Sequence, residues 1–123
     1  MSEQQQMKLP LMTSPSEMVK EFMFKSGQTP DKLLYEGLVI EEYGEWVEAD
    51  ADEEEIKELA DLIYVIYGYA VSKGWDLDEA VRRVHENNVG RMYQEDGTIW
   101  RRDDGKIIKN KSYPKVNLED LVQ

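Results

Sequence analysis

The chain has 123 residues, 41% hydrophobic and 33% charged, an ordinary balance for one domain with one modest core. Its net charge of −11 argues against a nucleic-acid-binding face, because phosphate backbones select basic patches, but it leaves room for a nucleotide whose phosphates a metal screens. It has no cysteine, which removes disulfides, thiol nucleophiles and zinc–thiolate sites, and no apolar run approaches the roughly 18 residues of a membrane span.

Residues 1–13, with Gln4, Gln5 and Gln6, show no periodicity and read as a flexible tail. The same stretch lacks the basic start and apolar core of a signal peptide, so the cytoplasm is the expected compartment. Ser14-Pro15-Ser16-Glu17 combines an N-cap, a proline in the first turn and a capping-box Glu, which starts a first helix ending near Ser26, before Gly27. Thr29-Pro30-Asp31 starts a second helix that runs to about Ala49. Asp52, with Glu55 three residues on, starts a third, which Gly74 ends as a left-handed cap. That helix is apolar nearly all round (Ile56, Leu59, Ala60, Leu62, Ile63, Val65, Ile66, Ala70), so it is central or lies in a subunit interface. Asp76 and Glu79 open a fourth helix carrying Leu77, Ala80, Val81 and Val84, which fades near Gly90. The spacing then changes. Ile99–Arg102 and Lys106–Lys109 flank an Asp-Gly turn at Asp104-Gly105, which predicts a small β-hairpin. Asn110 to Gln123, with Pro114, reads as a tail that loosens toward its end. The architecture expected is all-α: a four-helix bundle over 14–93 with a short C-terminal β-hairpin and tail over 94–123 in the same domain. A lone bundle of this size exposes much of its third helix, so a homo-oligomer is expected.

Five acids interrupt this apolar patterning. Glu41, Glu42 and Glu45 lie on the second helix, and Glu58 and Asp61 on the third. Residues three and four apart share a helix face. Leu34 and Leu38 therefore run in line with Glu41 and Glu45, and Val65 and Tyr69 with Glu58 and Asp61. The acids continue the apolar stripes rather than opposing them. Burying an ionised carboxylate without a partner costs several kcal/mol, and no Lys, Arg or His is expected within one turn on these stripes. If the connector is short, Glu42, Glu45, Glu58 and Asp61 converge at one height as a four-oxygen cage. Hard oxygen ligands without His or Cys suit Mg2+ or Mn2+. Asp50, Asp52, Glu53, Glu54 and Glu55 read instead as a solvated cluster favourable to the dipole of the third helix. An EF-hand over Asp50–Asp61 fails because the loop glycine is missing at its sixth position.

Glu41-Glu42-Tyr43-Gly44-Glu45 followed by Glu58-Leu59-Ala60-Asp61 resembles the E-E-x-x-E…E-x-x-D signature of the MazG-like all-α nucleoside triphosphate pyrophosphohydrolases. That group also holds the dimeric dUTPases and phosphoribosyl-ATP pyrophosphatase. The resemblance covers roughly residues 14–93. A second match, Asn88-Val89-Gly90-Arg91 and then Asp104-Gly105-Lys106-Ile107-Ile108-Lys109, is similar to the tail of short, often phage-encoded members. The chain departs from those at Val84, where many have Lys, and at Asn110-Lys111-Ser112, where they have Gly-Pro-Asn. The resemblance implies that Glu42, Glu45, Glu58 and Asp61 bind two or three Mg2+ or Mn2+ ions and that Glu41 orients or deprotonates the attacking water. It implies that Asn88 and Arg91 face the triphosphate or sugar. The reaction implied is cleavage of a (d)NTP between the α and β phosphates to (d)NMP and pyrophosphate, with a lean to dGTP. The assembly implied is a dimer or a tetramer (a dimer of dimers), in the host cytoplasm if the gene is phage-encoded. No nucleic-acid or membrane partner is expected.

Other residues weigh less. His85 reads as structural or solvent-facing. Packing is the expected role of Trp46, Trp75 and Trp100, and Trp46, adjoining Glu45, is the best of them for stacking on a base. Tyr64, Tyr67 and Tyr69 read as packing or interface residues. Lys106, Lys109 and Lys111 are either lysines guarding a hairpin edge or a mobile tail closing over phosphates. Two rival readings are phosphoribosyl-ATP hydrolysis on the same fold and a non-catalytic, metal-stabilised interaction protein. A di-iron oxidase would need Glu-x-x-His pairs, which are missing.

Overall fold

The computed structural model describes residues 14–28 and 31–123, so the flexible tail expected at 1–13 and the Thr29-Pro30 start signal lie outside the described residues. The described residues are predominantly helical, with four helices and a two-stranded antiparallel hairpin among them. It divides into two compact units, one ending at Leu77 and the other spanning Asp78–Gln123.

The first unit holds α1 (Pro15–Ser26), α2 (Lys32–Glu48) and α3 (Asp52–Lys73). Ser14 caps α1 by accepting from the Glu17 amide at 3.1 Å, and Asp31 caps α2 by accepting from the Leu34 amide at 2.8 Å. Gly27 and Gly74 end α1 and α3 in the left-handed conformation, at φ 69° and 75°. α3 begins at Asp52, where the sequence places its start. Its cap is Ala51, without a side-chain bond, and Asp52 is already helical. Glu54 instead reaches back to the Asp50 amide at 3.2 Å, and four acids in the first turn face the positive end of the dipole.

Residues 49–51 fold α3 back along α2 as an αα-hairpin, and α3 also packs against α1, which makes it the shared element of the unit. Val19, Tyr35, Tyr67 and Ala70 form the buried core. The Tyr35 ring crosses from α2 onto Gly68 of α3. A Cβ at that glycine would lie 2.5 Å from Tyr35 Cε1, so the close approach needs glycine. Phe22 of α1 meets Tyr64 edge-on at 5.6 Å, and Tyr69 lies between Tyr35 and Trp75, at 6.2 and 6.1 Å. All three tyrosines of α3 thus pack within the unit.

The second unit holds all but the first residue of α4 (Leu77–Met92), together with β1 (Trp100–Arg101), β2 (Ile107–Ile108) and a 3-10 turn at Glu119–Leu121. Trp100 pairs with Ile108 and Arg101 with Ile107, so the hairpin forms about the expected Asp-Gly turn but is shorter than its sequence signal. The tail does not loosen as anticipated. Arg83 of α4 forms a fork with Asp120 at 2.7 and 2.9 Å, Asn87 Nδ2 donates to the Pro114 carbonyl at 2.9 Å, and Tyr113 lies against Gly90. Among the described residues, no helix is long and apolar enough to cross a membrane.

Candidate active site

The acids of α2 and α3 meet because the αα-hairpin sets the last turns of one helix beside the first turns of the other. Their oxygens form two overlapping triads, Glu41–Glu42–Glu45 and Glu42–Glu58–Asp61, each with ligand atoms within 4.8 Å of one another. Glu42 belongs to both. Glu58 is buried, Glu42 and Asp61 are half-buried, and Glu41 and Glu45 are exposed. One oxygen each of Glu42 and Glu58, both Oε1, is buried without a hydrogen-bond partner. Burial pushes the Glu42 carboxyl above the usual carboxylate range, and the charges of Glu45, Asp61 and Glu58 push it further. Glu58 is raised first by burial, while Lys57 pulls it the other way.

Lys57 corrects the expectation that no cation lies within one turn of these acids. It precedes Asp61 by four residues on the same helix, and its Nζ lies 2.7 Å from Asp61 Oδ2 and 3.8 Å from Glu58 Oε1. An i, i+4 spacing brings such a pair together on any helix, so the signal was present in the sequence. The Asp61 hydrogen bond holds Lys57 above its ordinary pKa. This single ammonium leaves the orphaned Glu42 oxygen unpaired.

The residue set fits a divalent cation. All five side chains are carboxylates, they come from two rigid helices, and two of their oxygens are buried and unpaired.

Trp46 does not present its ring freely. Its Nε1 donates to Glu55 at 3.1 Å, and Tyr43 meets it edge-on at 5.9 Å. Glu55, read from sequence as part of a solvated cluster, is therefore the anchor of this indole. Asn88, Arg91, Lys106 and Lys109 belong to the second unit. Asn88 is exposed. Arg91 is half-buried, with its Nε buried and unpaired and one guanidinium nitrogen 3.4 Å from Asn87 Oδ1. Asn87, which the sequence reading passed over, thus joins Arg91 to the Pro114 carbonyl. Lys106 is exposed beside the Arg102–Asp104 pair. Lys109 lines a cavity of about 580 Å³ with Trp100, Glu95 and Lys111. His85 is exposed on α4.

The helical hairpin of a predominantly helical chain thus gathers five carboxylates at one end. The family model for phosphoribosyl-ATP pyrophosphohydrolase matches residues 4–88, and the chain is a member of that family, within the MazG-like all-α NTP pyrophosphohydrolase superfamily. It is accordingly a nucleotide pyrophosphohydrolase. A search of curated proteins returns no match.

Proposed function

We propose that this chain is a Mg2+- or Mn2+-dependent nucleoside triphosphate pyrophosphohydrolase that cleaves a (d)NTP between its α and β phosphates, with a lean to dGTP. The observation carrying the reading is the pair of buried oxygens without a hydrogen-bond partner on Glu42 and Glu58 beside Asp61. Such oxygens need a cation, and a triphosphate substrate brings one with it.

In this reading Glu42, Glu45, Glu58 and Asp61 hold two or three divalent ions. When bound, those ions neutralise charge on the phosphate oxygens and acidify the attacking water. Glu41, exposed on the same turn as Glu42, accepts the proton as the water oxygen bonds to phosphorus. The bridging P–O bond breaks, and a nucleoside monophosphate and pyrophosphate leave. Asn88 and Arg91 contact the triphosphate or sugar. Lys106 and Lys109 add charge toward the phosphates, and Trp46 flanks the base from its place beside Glu45. The exposed apolar side chains of α2 and α3, among them Leu33, Ile40, Val47, Ile56 and Ile63, support a homo-oligomer, a dimer or a dimer of dimers. A role in nucleotide-pool control in the cytoplasm follows, whether in a cell or in the host of a phage.

A second reading, phosphoribosyl-ATP hydrolysis, is favoured by the family match over residues 4–88. The hairpin beyond that match, Trp100–Ile108, argues for the triphosphate reading. Pyrophosphate release from a panel of (d)NTPs and phosphoribosyl-ATP, with Mg2+ or Mn2+, separates the two. Release from a (d)NTP with monophosphate as co-product is the expected result. Release from phosphoribosyl-ATP alone selects the second reading, and silence across the panel with intact metal binding points to a non-catalytic role.

A further inference from the structure

Across residues 33–72, which include all five clustered carboxylates, Lys57 is the sole Lys, Arg or His. Its ammonium reaches back to two of those acids. Its Nζ lies 2.7 Å from Asp61 Oδ2 and 3.8 Å from the buried, otherwise unpartnered Glu58 Oε1. Asp61 and Glu58 are two of the three members of the inner triad. An ammonium in this position and a divalent cation on the same oxygens compete for lone pairs and repel one another.

The lysine is also built to leave. Its side chain is 66% exposed, and its flexible four-carbon stem can carry the ammonium away from Asp61 without moving the helix. Once displaced, it remains tethered one helical turn from the carboxylates, where the phosphates of a metal-bound substrate would lie.

We propose that Lys57 is an internal counter-ion of the carboxylate site, which a divalent metal displaces, and that the displaced ammonium then binds the substrate's phosphates. This rests on the metal-binding reading of the acids. It assigns Lys57 two opposed effects: weakening metal binding and strengthening phosphate binding.

The test uses the full chain, stripped with chelator. Mn2+ affinity is measured by calorimetry without nucleotide, then the affinity of the Mn2+-loaded protein for inorganic tripolyphosphate, for wild type, Lys57→Met, Lys57→Gln and Lys57→Arg. In both neutral variants Mn2+ should bind several-fold tighter, and tripolyphosphate should bind weaker by roughly tenfold, the order of one charge-assisted contact. Lys57→Arg should retain most of the tripolyphosphate affinity. Unchanged Mn2+ affinity in both neutral variants would make Lys57 a solvated helix pair and overturn the proposal. Weaker Mn2+ binding would overturn it too, since Lys57 would then be a brace for the ligands. Tighter Mn2+ with unchanged tripolyphosphate affinity would remove the phosphate role. A wild-type chain that binds no Mn2+ would instead refute the metal reading itself. The two neutral variants differ in polarity, so a folding failure in one leaves the other to decide.

Discussion

Glu42 on α2 and Glu58 on α3 face each other across the helical hairpin, each with one carboxylate oxygen buried and without a hydrogen-bond partner, in a triad whose ligand atoms lie within 4.8 Å. Two acids so placed repel each other, and one oxygen of each lacks a hydrogen bond to offset its burial. The joint between the helices is therefore expected to be strained until a cation bridges it. Saturating Mg2+ should raise the melting temperature of the chelated wild type, by about 2.7 kcal/mol of stabilisation at a hundredfold excess over Kd. Glu58→Gln should melt higher than wild type in chelator and lose most of the Mg2+ response. A variant that melts lower in chelator would mean that Glu58 is satisfied as it stands.

Glu41 shares a triad with Glu42 and Glu45 but is exposed, which suits a group that must pass a proton to solvent. Glu41→Gln is expected to keep Mn2+ affinity and to lose rate by about 10²–10⁴-fold, the usual size of a general-base contribution. Calorimetry and kcat on the same preparation check this. If Mn2+ affinity falls with the rate, Glu41 is a ligand and the base lies elsewhere.

The helices were legible because their punctuation is local. Ser14, Asp31, Gly27 and Gly74 act within one turn of themselves, and each does in the structure what its residue type favours. That Glu42 would meet Glu58 and Asp61 was legible because a connector of residues 49–51 leaves few ways to place two adjacent helices, whereas Glu45, expected in the same cage, groups with Glu41 and Glu42 instead. Three features were missed for different reasons. Lys57 carries an i, i+4 signal that an emphasis on apolar stripes passed over. The Trp46–Glu55 bond spans the connector, and the grip of Arg83 on Asp120 closes a long loop, so neither has a periodic signature. The tail looked loose because its ties come from α4.

Glu79 offers a pH test confined to the second unit. Its hydrogen bonds from Arg82 and Arg83 hold its carboxyl down at about 2, against an ordinary value of 4.5. The folded state therefore releases this proton more readily than the unfolded chain. The stability Glu79 contributes is fully present above pH 4.5 and is lost as pH falls toward about 2. At pH 6 Glu79→Gln should melt below wild type. The gap should narrow through that window and close near its lower end. A gap that stays constant with pH would show that the pair acts through packing rather than charge.

Gly68 tests the core of the first unit. A methyl group there would meet Tyr35 Cε1 at 2.5 Å, the phenol oxygen at 2.7 Å and Cζ at 2.9 Å. Tyr35 is buried and Gln28 reaches its hydroxyl at 3.3 Å, so moving the ring costs its packing and that bond. Gly68→Ala gains helix propensity, worth up to about 1 kcal/mol, but the overpacking penalty of about 1–3 kcal/mol should exceed it. The expected net effect is destabilisation in urea unfolding, with an unchanged slope. Tyr35→Phe should relieve little of this, because Cε1 and Cζ remain. Tyr35→Leu removes the far edge of the ring, so adding Gly68→Ala in that background should be neutral or stabilising. An equal penalty in both backgrounds would place the clash elsewhere than on the Tyr35 ring.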